Sequence, residues 1–362
     1  MRDLFRLSIP GILWVLLLAF PAGAATPEGP IGAGAVAAAA PSATVPDPSV
    51  ARAYLATIRP SAELQGDLDR IVAEIGRSDP KLLASSPRIA VIDVTAQGGP
   101  RLAEVRGQDS VYPASVVKFV YLMAAYAWQE RGLLTIDAAL DADLSSMIHQ
   151  SSNQATRKVF ARLTGTEPGP ELDEAAYADF RERRLAVKRW LESMGIDDLH
   201  TVNPTYDGNG DLFGRDQQFL RDRSVSGGLP ATGTQYPNRQ AMTAAGTARL
   251  LALLANDLAL TPEDSATVRR RMRRDVREQP HLAHRIAGGA ADLAGSEVYA
   301  KSGTWGPIYA DAGIVRGTGG KQFAIAVFTD ASPPYRGDAI ARLTRRLAAR
   351  LLTVSPAAEG EI

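Results

Sequence analysis

The chain has 362 residues, room for one large domain or two of ordinary size, and 45% hydrophobic against 22% charged residues is enough for a core. Lys plus Arg number 40, as do Asp plus Glu, so no bulk charge favours a nucleic acid or a membrane surface as partner. The absence of Cys excludes disulfides and a lipid-modified cysteine.

The chain opens with Arg2 and Arg6, an apolar run from Ile9 to Phe20, then Pro21 and Ala22-Gly23-Ala24. A basic start, apolar middle and A-x-A end read as a secretory signal over residues 1–24. The competing reading is a retained anchor, but the run falls short of the roughly 20 residues of a membrane span. The expectation is a secreted or periplasmic protein with no stable membrane insertion after cleavage. Ala25 to Pro48 is mostly Ala, Gly, Pro, Ser and Thr and reads as a flexible linker, carried here to residue 60.

The fold is expected to begin at Ser61, an N-cap for a helix with Leu64, Leu68, Ile71, Val72 and Ile75 on one face. Ile89 to Val94 reads as a strand. Val116 to Trp128 is apolar nearly all round, which predicts a helix at the centre of the protein. Helical segments follow at Leu144 to Leu163, Tyr177 to Met194, Thr243 to Leu258 and Pro262 to Val276. Between them Asn203 to Gln240, rich in Gly, Asp, Pro and Asn, reads as a long loop. Strands are expected at Val298 to Ala300, Tyr309 to Val315 and Phe323 to Thr329, with Gly319-Gly320 turning the last two into a hairpin. A helix from Asp338 to Leu352 closes the domain, and 353–362 form a tail.

This order predicts an α+β fold of two lobes. An antiparallel sheet flanked by helices would use residues 61–110 and 285–352. A helical domain over residues 111–284 would lie beside it, with a cleft between.

Three short motifs carry chemistry. In Ser115-Val116-Val117-Lys118, residues three apart share a helix face, so hydroxyl and amine can meet. A serine needs a neighbouring base, and a lysine serves only if burial or a second cation lowers its pKa. Alone the spacing is weak: Ser78-Asp79-Pro80-Lys81 repeats it, with Pro80 arguing against a helix there. In Ser151-Ser152-Asn153 a hydroxyl can relay a proton and an amide can hold a substrate, or Ser and Asn merely cap a helix. Lys301-Ser302-Gly303-Thr304 ends a strand, where Gly303 permits close approach and Lys301 offers charge, or it is an ordinary strand end.

In that order, S-x-x-K, S-x-N and K-[ST]-G resemble the motif set of class A β-lactamases and penicillin-binding proteins. Tyr112 to Lys118 resembles their nucleophile segment, Met242 to Leu258 the helix after their active-site loop, and Lys301 to Asp330 their K-[ST]-G strand and hairpin. The similarity runs from about Ser61 to Leu352. It implies the β-lactamase/transpeptidase-like fold and a serine hydrolase that forms an acyl-enzyme on Ser115. Lys118 would assist deprotonation, Ser151 would pass a proton to the leaving nitrogen, and Asn153 would hold the substrate amide. Lys301, Ser302, Gly303 and Thr304 would bind substrate, with Lys301 and Thr304 facing its carboxylate. Backbone N–H groups of Ser115 and Thr304 would form the oxyanion hole.

Two departures stand out. Ser151 follows Ser115 by only 36 positions, and no segment matches the family's E-x-x-L-N, whose Glu activates water. Asp207, before Gly208, is the nearest carboxylate, one methylene shorter than Glu, and is also good turn sequence. The readings left open are a β-lactamase, a peptidase or esterase acting on cell-wall D-Ala peptides or small esters, a slowly deacylating penicillin-binding protein, and a binding module without turnover. A monomer taking a β-lactam or peptidoglycan-derived substrate is expected. His281 and His284 lack acidic or Cys company, so no metal or cofactor is implied. The segment Arg269 to Arg274 reads as a solvated helix face rather than a nucleic-acid site.

Overall fold

The computed structural model describes residues 45–205, 214–225, 227 and 236–352. Asp207, like the expected signal, most of the linker and the tail, lies outside the described residues.

The elements in chain order are α1 (Pro48–Leu55), β1 (Arg59–Pro60), α2 (Ala62–Ser78), α3 (Pro80–Ala84), β2 (Arg88–Asp93) and β3 (Arg101–Val105). A 3-10 turn, Ala114–Val117, leads into α4 (Lys118–Glu130), then α5 (Ala138–His149), α6 (Asn153–Thr164), α7 (Glu174–Arg184) and α8 (Ala186–Ser193). There follow β4 (Leu199–His200), α9 (Gly214–Arg221), β5 (Ala241–Met242), α10 (Ala244–Ala255), α11 (Pro262–Met272) and α12 (Ile286–Ala290). Last come β6 (Glu297–Trp305), β7 (Ile308–Arg316), β8 (Gln322–Asp330) and α13 (Ala339–Leu351).

The sheet runs β1-β3-β2-β8-β7-β6. All pairings are antiparallel except the short β1–β3 contact. Strands such as β8 are buried on both faces, so they read as continuous apolar runs rather than alternating ones. Ala310, Ala312, Ile314, Ala324, Ala326 and Phe328 face a core shared with the helices α4, α5, α6, α8, α10 and α11. Their neighbours Tyr309, Val315, Phe323, Ile325 and Val327 face a second core built with α2, α12 and α13. The two-lobed α+β expectation is met.

Helix α4 sits at the centre as its composition predicts: Lys118 to Ala127 are all buried. Truncating one of its large side chains would cost about 2–5 kcal/mol. Ser61 caps α2 by accepting from the Leu64 amide. Three expectations need correction. The segment to residue 60 is not all linker: α1 buries Ala51, and Tyr54 accepts a hydrogen bond from Asn256 across the fold. Pro80 does not exclude a helix but opens α3 at its first turn, where its missing N–H is harmless. Arg269 and Arg274 are not solvated. Both are buried, Arg269 donating to Leu254 O and pairing with Asp257, Arg274 donating to Ile148 O.

Candidate active site

Ser115 lies in the 3-10 turn, not in the helix proper, and its side chain is half-buried at the edge of the helical lobe. Lys118 is the first residue of α4 and fully buried. The predicted helix Leu144 to Leu163 is two helices, broken at Ser151, whose φ of 56° lies in the left-handed region. Ser152 then caps α6 by accepting from the Ala155 amide at 3.1 Å. The capping reading of the second motif holds at Ser152. Ser152 is a cap, and the break it starts turns Ser151 and Asn153 towards Lys118. Ala114, just before the serine, also has positive φ, at 49°. Non-glycine residues in this region carry strain that surrounding structure must hold, and such strain clusters at functional sites.

The amine of Lys118 donates to the Ser151 carbonyl, to Asn153 Oδ1 at 2.7 Å, and to Ser151 Oγ at 3.3 Å. Lys301 Nζ reaches the same Ser151 Oγ at 3.0 Å and the Ser302 carbonyl at 2.8 Å. Two lysines thus share one hydroxyl. Burial pushes Lys118 down to about 7, so at neutral pH a large share of the amine is unprotonated. Lys301 is pushed well below its usual value, by burial first and then by the charges of Lys118, Arg274 and Arg285, with Asp311 opposing. The expected direct contact of Ser115 with Lys118 is not made in this state. Among the described residues the Ser115 hydroxyl has no hydrogen-bond partner, and Lys118 is turned to the second motif.

The third motif lies within β6, which runs past Ala300 to Trp305. Side chains alternate along a strand, so Lys301, Gly303 and Trp305 share the face turned to the helical lobe. Gly303 is where strand meets nucleophile. A Cβ there would lie 2.8 Å from Pro113 O and 3.0 Å from the Ser115 amide nitrogen. Backbone atoms cannot give way as a side-chain tip can, so only glycine permits this approach.

Three charged residues of the site were not singled out from sequence. Arg285 donates to Thr304 Oγ1 at 2.7 Å and to Ala310 O at 2.6 Å, and lies 3.5 Å over the Tyr309 ring. It places an arginine beside the third motif. Arg316 instead bonds Gln322 and stacks on Tyr299. Asp311, across the ladder from Ser302, is fully buried and accepts from the Ile286 amide at 3.0 Å. Burial pushes its carboxyl up, against Arg285, Lys301 and Arg274. Arg274 brings a further buried cation towards Lys301. Only the run Arg285-Ile286-Ala287-Gly288-Gly289, an arginine before a small-residue helix, hinted at any of these.

The arrangement holds an alcohol on a strained turn, a buried amine of lowered basicity, a hydroxyl shared by two amines, and a cationic strand. It can carry a proton from an alcohol to a leaving group and receive an anion.

Comparison with known proteins bears on the fold. Residues 178–353 match the model of the β-lactamase enzyme family. No curated protein matches the chain. Among solved structures it is similar to a β-lactamase from Sphaerobacter thermophilus at 16% identity, covering 77% of this chain and 96% of that one, with a TM-score of 0.53. A β-lactamase from Chitinophaga pinensis is 18% identical over 78% of this chain and 98% of its own, TM-score 0.54. PBP-A is 17% identical over 81% and 97%, TM-score 0.51, and a mutant of it was solved as an acyl-enzyme complex with penicillin G. At such identities the likeness establishes the fold.

Proposed function

We propose that this chain, which has the fold of the β-lactamases it resembles and matches the β-lactamase family model over residues 178–353, is a serine hydrolase of that kind and hydrolyses β-lactam amides through an acyl-enzyme on Ser115. The observation that carries the reading is the sharing of Ser151 Oγ by Lys118 and Lys301 beside the strand that Gly303 lets onto the serine turn.

In this reading, the neutral share of Lys118 takes the Ser115 proton as substrate enters. Ser115 Oγ bonds the carbonyl carbon, and the Ser115 and Thr304 amides hold the developing oxyanion. The C–N bond breaks, and the proton passes from Lys118 through Ser151 to the leaving nitrogen. Water then cleaves the ester, releasing the acid and restoring the alcohol. Arg285 and Lys301 receive the substrate carboxylate beside Thr304; that anion would draw a proton back onto Lys301. Asn153 keeps its oxygen on Lys118, and we assign its amide nitrogen to the substrate side chain. We also propose that the basic, apolar and small-residue start directs export, and that the exported protein works as a monomer.

The second reading, a penicillin-binding protein that deacylates slowly, is favoured by one observation: no E-x-x-L-N segment is present. Purified protein mixed with a fluorescent penicillin and with a chromogenic cephalosporin separates the two. Labelling with many turnovers of the cephalosporin supports the lactamase. Labelling with near-stoichiometric release, together with cleavage of D-Ala-D-Ala peptides, supports the second. Turnover that persists in Ser115→Ala removes both.

A further inference from the structure

At the open end of the nucleophile face of β6, Trp305 is exposed, an unusual place for so large an apolar ring. It continues the row of Lys301 and Gly303, one step beyond the approach to Ser115. Tyr112, three residues before the serine, meets it edge-on with ring centroids 5.3 Å apart. The Arg239 guanidinium lies over both rings, 4.9 Å from the Tyr112 centroid and 5.4 Å from that of Trp305.

The placement of Arg239 is enforced from both sides. Asn238 is fully buried, its side chain donating to the carbonyls of Phe219 and Asp222. Gln240 is buried and donates to the Asn203 carbonyl, while Met242 pairs with Val111, next to Tyr112. With its neighbours held inward, Arg239 is directed outward onto the aromatic pair. Among the described residues no carboxylate is paired with it. A guanidinium held over aromatic rings by cation–π contact can still offer N–H donors at its edge, in the fork that fits a carboxylate.

We propose that Arg239, seated on Tyr112 and Trp305, is a specificity-determining residue that receives a carboxylate on the acyl portion of the substrate. This is an anion distinct from the one beside Arg285 and Thr304. Arg285 bonds Thr304 and Ala310 on the other face of β6 and Lys301 lies four residues before Trp305, whereas Arg239 meets the strand at Trp305 itself, at the end of the nucleophile face. The chemical class is therefore an acyl donor with a negative charge at each end. The inference rests on the reading of Ser115 as the acylated residue.

The test uses two penicillins with one nucleus, a phenylacetyl side chain on one and its α-carboxylated counterpart on the other. Second-order acylation of the purified protein is followed by intact mass, and the ratio of the two rates is taken for each variant. Because both compounds are run on the same preparation, partial loss of folded protein cancels. A charge-assisted pair predicts a ratio favouring the carboxylated compound by about tenfold. It should fall towards unity in Arg239→Gln, be partly kept in Arg239→Lys, and drop in Trp305→Ala as the guanidinium loses its platform. An adduct with an unchanged ratio in Arg239→Gln overturns the assignment and leaves the Ser115 reading standing. Absence of both an adduct and any hydrolysis of either penicillin by the unaltered protein sinks that reading and this one with it.

Discussion

Replacing Lys118 by Met should make the protein more stable and inactive at once. The amine is fully buried, and its folded pKa of about 7 lies below the 10.5 of the unfolded chain. That fall corresponds to at most about 5 kcal/mol of unfavourable burial of the charged form. Removing the amine leaves the Ser151 carbonyl and Asn153 Oδ1 without a donor, each costing about 1–2 kcal/mol. The balance favours Lys118→Met by about 1–3 kcal/mol at pH 7, a rise in Tm of several degrees. The pH dependence is more diagnostic. Between pH 7 and 10.5 the unfolded chain binds more protons than the folded one, so wild-type stability should rise with pH across this window. In Lys118→Met that rise should shrink. Urea titrations at pH 7, 8 and 9 read both effects, and mass spectrometry after penicillin treatment reads the loss of acylation. A variant less stable than wild type, with the same pH slope, would refute the claim that the fold holds this amine at lowered basicity.

Other expectations follow from the same geometry. Gly303→Ala sets a methyl against Pro113 O and the Ser115 amide, so acylation by a fluorescent penicillin should fall by about a hundredfold or more, at a lowered Tm. His200 is buried, with neither ring nitrogen partnered among the described residues, and burial together with Lys188 pushes it down to about 4. The unfolded chain binds the extra proton between pH 6.5 and 4, so stability should drain by at most about 3 kcal/mol on acidification through that window, less so in His200→Leu, as chemical denaturation at pH 5 and 7 would show. Arg184 is enclosed by Phe160, Phe180 and Phe219 and pairs with buried Asp216. Arg184→Met should cost about 3–5 kcal/mol by leaving that carboxylate alone, and adding Asp216→Leu should recover much of it, read by thermal melts.

The sequence showed the fold where periodicity and burial agree. Val116 to Trp128 could only be a central helix, and the β8 run could only be a strand buried on both sides. It hid what depends on one residue's backbone. Nothing in Leu144 to Leu163 announces that Ser151 adopts positive φ, yet that break brings its hydroxyl between two lysines. Arg274, and Arg285 but for the small-residue run after it, were hidden for another reason. Each lies far in sequence from the residues it serves, and an arginine beside an apolar helix looks the same whether it turns outward or into a site. The segment 48–55 was read as linker because its composition is poor in large apolar groups; Ala51 and Tyr54 suffice because α10 provides the surface.

The alcohol of Ser115 stands or falls by peptide mapping of the purified protein after brief exposure to a penicillin. A mass increase equal to the whole antibiotic, carried by the peptide holding Ser115 and missing from Ser115→Ala, is the predicted result. An increase borne by another peptide, or neither an increase nor hydrolysis of the drug at any concentration, would contradict it.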